Sequence, residues 1–330
     1  MAASPTPRPT PSAEARTEAR LLAALEACDG LTGPVGVACS GGADSVALLL
    51  AAHRRWPGSV VALHVNHGLQ AAAADFERGV HALCQRLGVP LWVRAVQARH
   101  GPGESPEDAA RQARYHALAD LAHTYGLGHV LLAQHADDQA ETVLLALSRG
   151  AGVSGLAAMP AQMERHGVCF VRPWLRLRGA DLRAWLQAQG QVWCEDPSNQ
   201  DTRYRRNRLR HAVLPALQAQ FPGFVACVAR SAAHCAQANG LLDELAQIDL
   251  LQTGSPPAIA ALQALSDARL ANVLRHWLQA EAGRSPSTAQ LHELMAQIRH
   301  CRTQGHQIAI KVGAGRVQRQ GSHLSYVNPK

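Results

Sequence analysis

The stretch Val35-Gly36-Val37-Ala38-Cys39-Ser40-Gly41-Gly42-Ala43-Asp44-Ser45 decides how the rest of the chain is read. The breaker pair Gly33-Pro34 precedes it, and Val35 to Ala38 has the small and β-branched composition of a short buried strand. Val46 to Arg55 then reads as a helix packed through Val46, Leu49 and Leu50. In the turn between them, Gly41 and Gly42 admit a close approach to the backbone, and Ser40, Asp44 and Ser45 add polar groups. A turn of this kind feeding a helix N-terminus presents unpaired N–H groups and a positive dipole end, which suits phosphate. It is not the lysine-containing nucleotide loop: the sequence has no G-x-x-x-x-G-K-[ST], and its only lysines are Lys311 and Lys330. Two other readings compete. Ala38 to Gly42 is one residue from the G-x-S-x-G elbow of serine hydrolases, which would make Ser40 a nucleophile and leave Asp44 without a task. The plainest reading is a tight strand–helix turn of small residues.

Composition sets the frame for that choice. A chain of 330 residues can bury a sizeable core and is expected to form two or three domains. No apolar run approaches the length of a membrane helix. Residues 1–16 are rich in Pro, Ala and Thr without an apolar segment, and are expected to form a disordered tail rather than a signal peptide. The 8 cysteines lie singly, with no C-x-x-C pair, which suits reduced thiols and a cytoplasmic location. Charge is uneven. Residues 1–150 carry a net −2 and residues 151–330 a net +9, within a total of +7. A basic half beside a slightly acidic one points to a polyanionic partner for the C-terminal part.

Glu14 to Ala27 is expected to be an amphipathic lead helix with Ala15, Leu22 and Leu25 on its apolar side. Val60 to Val65 reads as a second strand ending at Asn66-His67-Gly68-Leu69, followed by a helix over 71–87 and a strand over 91–96. Strands alternating with helices of this length form parallel βαβ units, whose ligands sit beyond the carboxyl ends of the strands. The serine-glycine loop and Asn66-His67 both fall there, although Asn66 and His67 would equally serve to end a strand and cap a helix. Ser105-Pro106-Glu107-Asp108 opens a further helix, on which Arg114 shares a face with Arg111 beside Tyr115 and Leu118. That face is either a solvated basic stripe or a fork for phosphate or carboxylate. His129 to Ala133 is a fourth strand that delivers residues 134–142 onto a helix start. His135 stands at the strand end, and Asp138 and Glu141 share a helix face. Carboxylates in that place hold magnesium together with phosphate oxygens, and a histidine beside them handles protons.

Ser-Gly-Gly-Ala-Asp-Ser closely resembles the pyrophosphate loop of the PP-loop ATPases, which split ATP between its α- and β-phosphates. Further landmarks follow in order: His64-Val65-Asn66-His67-Gly68-Leu69, Ala113-Arg114-Tyr115, the His135–Thr142 run and Leu147 to Leu156. Val171-Arg172-Pro173-Trp174-Leu175, Trp193 to Asn199 and Arg206-Asn207-Arg208-Leu209-Arg210 complete the series. Together, over residues 33–215, they resemble the tRNA(Ile)-lysidine synthetase family. Trp174 stands where that pattern suggests Leu. Longer family members carry a further C-terminal domain, and this chain resembles the shorter forms.

The resemblance implies a parallel, doubly wound α/β domain of the adenine nucleotide alpha hydrolase type over residues 17–215. A mainly α-helical tRNA-binding domain over 216–330 would follow it. The implied reaction activates C2 of the wobble cytidine of tRNA(Ile) with a CAU anticodon as an adenylate, and free L-lysine then displaces AMP. Ser40, Gly41, Gly42, Ala43, Asp44, Ser45, Asn66 and His67 are the implied ATP-binding residues, and Asp44 and Asp138 the implied Mg2+ ligands. Asp44, Arg114, His135, Asp138 and Glu141 are the catalytic candidates, with individual roles open among the last four. Arg203, Arg205, Arg206, Arg208 and Arg210 form the densest basic cluster, read as RNA phosphate contacts rather than a solvated helix face. An RNA thiolase of the same superfamily, a serine hydrolase and a non-catalytic RNA-binding protein are the alternatives. Thiolases of this type commonly use paired cysteines.

Overall fold

The computed structural model describes residues 12–328, apart from 29, 32, 67–72, 97–105 and 304. The chain forms two compact units, which divide between His234 and Cys235.

The first unit runs α1 (Ala13–Glu26), β1 (Val35–Ala38), α2 (Ala43–Arg55), β2 (Val60–Asn66), α3 (Ala73–Leu87), β3 (Leu91–Ala95) and α4 (Pro106–Thr124). It continues through β4 (His129–Leu131), α5 (Ala136–Leu147), α6 (Val153–Leu156), β5 (Gln162–Arg165), β6 (Val168–Val171) and α7 (Gly179–Ala188). The strands form one sheet in the order β3-β2-β1-β4-β6-β5, parallel except for the β5–β6 hairpin. Val35 of β1 is paired on one side with Val60 and on the other with His129. From β1 the chain builds outward first towards β3, then returns through β4 to the other side. The crevice of such a sheet opens where the strand order reverses, here at the carboxyl ends of β1 and β4.

Both faces of the sheet are covered, so its strands are short apolar runs. On one face α2 is buried from Val46 to Ala52 and packs with Leu21 and Leu25 of α1 and Leu182, Trp185 and Leu186 of α7. The lead helix therefore buries Leu21 with Leu25, while Ala15, expected on its apolar side, is exposed. On the other face Tyr115, Leu118 and Ala122 of α4 pack with Leu63, Val130 and Phe170. Trp174 is fully buried and its indole N–H donates to the Leu21 carbonyl at 3.3 Å, which satisfies the polar atom a leucine would not bring. The β5–β6 hairpin has no counterpart in the sequence reading. Its outer strand, Gln162-Met163-Glu164-Arg165, carries polar edge residues, and its turn places His166 at φ 51° and Gly167 at φ 71°. The Ser105 cap and residues 67–72 lie outside the described residues.

A basic segment follows: α8 (Arg205–Arg208), a π-helical turn Leu209–Val213 and α9 (Leu214–Gln220). Helix α10 (Phe224–Thr253) carries the chain across the division. In the second unit, α11 (Ile259–Ala264), α12 (Asp267–Ala282) and α13 (Thr288–His300) pack with three antiparallel strands. These are β7 (Ala309–Val312), β8 (Gly315–Gln320) and β9 (His323–Val327), in the order β7-β8-β9. Gly321, at φ 62°, turns the chain between β8 and β9. Leu270, Val273, Leu274 and Trp277 form the core with Leu291, Leu294, Val312, Val317 and Leu324.

Candidate active site

Gly41 has φ 94°, and a Cβ there would lie 3.2 Å from side-chain atoms of both Phe76 and Val80 on α3. Only glycine fits both the dihedral and the space. With that corner fixed, the backbone N–H groups of Ser40 and Gly41 turn inward and donate to Ser45 Oγ at 3.1 and 3.2 Å. Ser45 Oγ in turn donates to the Gly42 carbonyl at 2.9 Å. A hydroxyl oxygen thus sits where inward N–H groups converge at the start of α2, a position that equally suits a phosphate oxygen. Cys39 lies under the loop. Burial pushes its thiol up to about 11, against the opposing effect of Gly41 and Ser45. It is therefore no nucleophile, and alkylation of the native protein at pH 8 is expected to spare Cys39 and modify the exposed Cys227 first, read by mass mapping.

Strand β4 delivers His135 as the N-cap of α5, where the residue is 7% exposed. Three carboxylates surround it. Nε2 lies 3.4 Å from Asp44 and 3.5 Å from Asp138, and Nδ1 lies 3.4 Å from Asp137. Burial by itself lowers the His135 pKa, but Asp138, Asp137 and Asp44 outweigh it and push it up to about 10. The Asp137 backbone N–H also lies 3.3 Å from Nδ1, a contact that only the neutral ring accepts. The ring is thus built for both protonation states, and the negative shell selects the cation. Asp138 closes the capping box by accepting the His135 N–H at 3.0 Å. Asp44 comes from the first turn of α2, so β1 and β4 bring Asp44 and Asp138 to one point. Its Oδ1 is buried and has no hydrogen-bond partner among the described residues.

Asp137 is the site residue that sequence reasoning missed. An acidic residue in a first helical turn reads as ordinary capping, and only its partners show otherwise. It accepts from the Gly179 backbone N–H at 2.8 Å and from Arg178 Nε at 3.2 Å. Burial opposes its ionisation, yet His135, the Gly179 N–H and Arg178 hold the carboxyl far below the usual carboxylate range.

Glu141 is fully buried one turn further along α5. Arg206 Nε and Arg210 Nε donate to its two oxygens at 2.7 Å each, and Arg210 Nη2 adds a bond of 3.0 Å. Arg206 Nη2 also donates to Thr142 Oγ1 at 3.1 Å. The clamp is held in place by Leu214, which packs on Ala136 and Ala140 of α5. Arg210 reaches within 3.5 Å of Asp138 as well. The basic cluster therefore divides. Arg206 and Arg210 face the site, Arg203 pairs with Asp201 at 2.7 Å, and Arg205 and Arg208 are exposed without ion-pair partners among the described residues. Arg114 keeps solvent access and makes no hydrogen bond among the described residues. Partial desolvation and the guanidiniums of Arg111, Arg206 and Arg172 lower its pKa from the usual arginine value. Asn66 donates to Glu77 on α3 at 2.7 Å, a carboxylate the sequence did not single out. His67 lies outside the described residues.

A parallel sheet with a Ser-Gly-Gly turn after β1 and a carboxylate pair bridging β1 and β4 defines a nucleotide-binding domain of the PP-loop class. A family model described as the PP-loop domain matches residues 15–217, and one described as the TilS substrate binding domain matches residues 258–324. The chain is 57% identical over 293 residues to the tRNA(Ile)-lysidine synthase of Polaromonas naphthalenivorans, covering 89% of each chain. It is 44% identical over 311 residues to that of Bordetella pertussis, covering 91% of this chain and 97% of the relative. The U34-tRNA thiolase of Methanococcus maripaludis shares the fold, with a TM-score of 0.58 at 14% identity over 66% of this chain and 77% of its own. The chain belongs to the tRNA(Ile)-lysidine synthase family.

Proposed function

We propose that the protein is an AMP-forming ligase that joins lysine to C2 of the wobble cytidine of tRNA(Ile) with a CAU anticodon. ATP first adenylates the C2 oxygen and releases pyrophosphate, and the lysine ε-amine then attacks C2 and expels AMP, leaving lysidine. The observation that carries this reading is the convergence of Asp44 and Asp138 on His135 beside the inward N–H groups of Ser40 and Gly41. This convergence supports a reading in which phosphate grip, cation binding and proton handling meet at the switch point of one sheet.

The residues divide the work as their positions suggest. Ser40 to Ser45 hold the β- and γ-phosphates through backbone N–H groups and the Ser45 hydroxyl. Asn66, the last residue of β2, and His67, next in sequence, serve the nucleoside side. Asp44 and Asp138 fit Mg2+, since the Asp44 Oδ1 is a buried acceptor lacking a donor. The ion supplies charge neutralisation for the departing pyrophosphate. His135, whose Nε2 faces both carboxylates, is placed to handle a proton of the incoming amine. Arg114, Arg206 and Arg210 add positive charge where the phosphates separate. Glu141 holds the latter two in place.

Residues 17–215 form the nucleotide-binding domain in this reading and residues 216–330 the tRNA-binding domain, in a cytoplasmic protein. No single helix among the described residues is long and apolar enough to cross a membrane. On the second unit, Lys311 and Arg316 stand directly opposite each other across β7 and β8, both exposed. Like charges so placed repel, which favours a face that meets phosphate. On the first unit, Arg205 and Arg208 offer free charge. Replacing both by Ala is expected to raise the KM for tRNA and flatten its salt dependence by roughly 0.7 to 0.9 in log–log slope per lost phosphate contact. The ATP dissociation constant should not move. An unchanged salt slope in the folded double variant would show this face to be merely solvated.

The test of the whole reading is the fate of α-labelled ATP. Labelled AMP, formed only with tRNA, lysine and Mg2+ present, is expected; labelled ADP as the product would overturn it.

A further inference from the structure

His64 belongs to none of the groups assigned above, yet it is a buried polar side chain, 3% exposed, at the carboxyl end of β2. Its Nδ1 lies 2.9 Å from the carbonyl oxygen of Cys39. A carbonyl only accepts, so Nδ1 carries the proton and the ring is the neutral Nδ1–H tautomer or the imidazolium. No ion pair to His64 exists among the described residues.

The Cys39 carbonyl and the Ser40 N–H belong to one peptide group, which is planar and trans. Fixing the carbonyl fixes the direction of the N–H on the opposite edge. That N–H points at Ser45 Oγ, 3.1 Å away, in the position a phosphate oxygen would take. The next plane but one is held the same way. The Gly41 carbonyl accepts from the Cys194 backbone N–H at 3.0 Å, and the Gly42 N–H on that plane's other edge faces Ser40 Oγ at 3.4 Å. Without these outer donors, a loop with glycines at 41 and 42 could rotate a peptide and turn a carbonyl towards the phosphates.

We propose that His64 is a positioning residue for the phosphate loop: by donating from Nδ1 to the Cys39 carbonyl it keeps the Ser40 N–H turned towards the bound phosphates. The backbone N–H of Cys194 does the same for the Gly42 N–H. The proposal rests on the reading of this loop as the ATP phosphate site, and it adds a residue that touches neither substrate nor metal.

Two substitutions separate the donation from the bulk of the ring. His64→Asn places an amide N–H where Nδ1–H was, whereas His64→Gln places its amide near Nε2 and leaves the Cys39 carbonyl without a donor. Both are polar and smaller than, or similar to, histidine. In the full-length protein, His64→Gln should raise the KM for ATP and the inhibition constant of inorganic pyrophosphate by about tenfold, the effect of one lost buried hydrogen bond. The KM for tRNA should hold. His64→Asn should stay within about threefold of wild type on both measures. Cys194→Ala, which keeps its backbone N–H, should be silent, and Cys194→Pro should resemble His64→Gln. A folded His64→Gln with wild-type ATP and pyrophosphate constants would overturn the proposal. So would a folded His64→Asn as impaired as His64→Gln, which would place the effect in packing. If the wild type made no AMP, the functional reading would fail on its own, and pyrophosphate binding to the variants would still decide whether His64 aims the loop.

Discussion

Asp44→Asn and Asp138→Asn are each expected to lower tRNA-dependent AMP release by about a hundredfold or more with the fold intact. A hundredfold corresponds to roughly 2.7 kcal/mol in the barrier, the scale of one preorganised charge at a developing transition state. The two carboxylates approach one imidazole nitrogen from different helices, so neither is explained as a cap alone: Asp44 makes no cap bond, and its Oδ1 has no donor among the described residues. Asparagine keeps the shape of each side chain and, at 138, an acceptor for the His135 N–H, so stability should change little. The measurement is single-turnover pyrophosphate release with a Mg2+ titration alongside. The Mg2+ concentration for half-maximal rate should rise in both variants. Near-wild-type turnover in both would mean that the cation site lies elsewhere.

Glu141→Gln is expected to cost stability as well as rate. Glu141 is fully buried between two guanidiniums, and deleting the charge of one member of a buried pair is worth about 3–5 kcal/mol. Arg206 and Arg210 are each about a third exposed, so water screens part of that loss and the lower end, about 3 kcal/mol, is the expectation. For a unit of this size it corresponds to a fall in Tm of about 6–12 °C. The rate should fall too, because the freed arginines no longer hold their positions beside Asp138. Glu141→Asp should recover part of both, the carboxylate being shorter by one methylene. If Glu141→Gln loses rate with no change in Tm, Glu141 touches a substrate directly and its pairing with the arginines is secondary.

The strand–turn–helix around Ser40 was legible because glycine spacing, the β-branched strand and the apolar helix agree at every level. His135, Asp138 and Glu141 were legible as a group because β4 and the 3.6-residue period of α5 put them on one edge. Their separate functions were not, since periodicity says which face a residue shares but not which distant arginine meets it. Glu141 reads the same as Asp138 along the chain, and only the return of residues 206–210 over α5 buries it. The basic cluster could not be divided for the same reason: five arginines within eight residues look alike until the fold pairs Arg206 and Arg210 with Glu141 and leaves Arg205 and Arg208 exposed. Asp137 hid among ordinary capping residues. His64 hid in an apolar strand, where its task is visible only through the Cys39 carbonyl.

Mass analysis of the tRNA itself reads the product of the reaction. Purified protein is incubated with ATP, Mg2+, isotopically labelled L-lysine and a tRNA(Ile) transcript carrying the CAU anticodon, and the digested nucleosides are weighed. One labelled lysine is expected on the wobble cytidine, lost when that base is uridine, with one AMP formed per lysine incorporated. ATP turnover without lysine in the RNA, or lysine incorporated at another position, would contradict the proposed ligation.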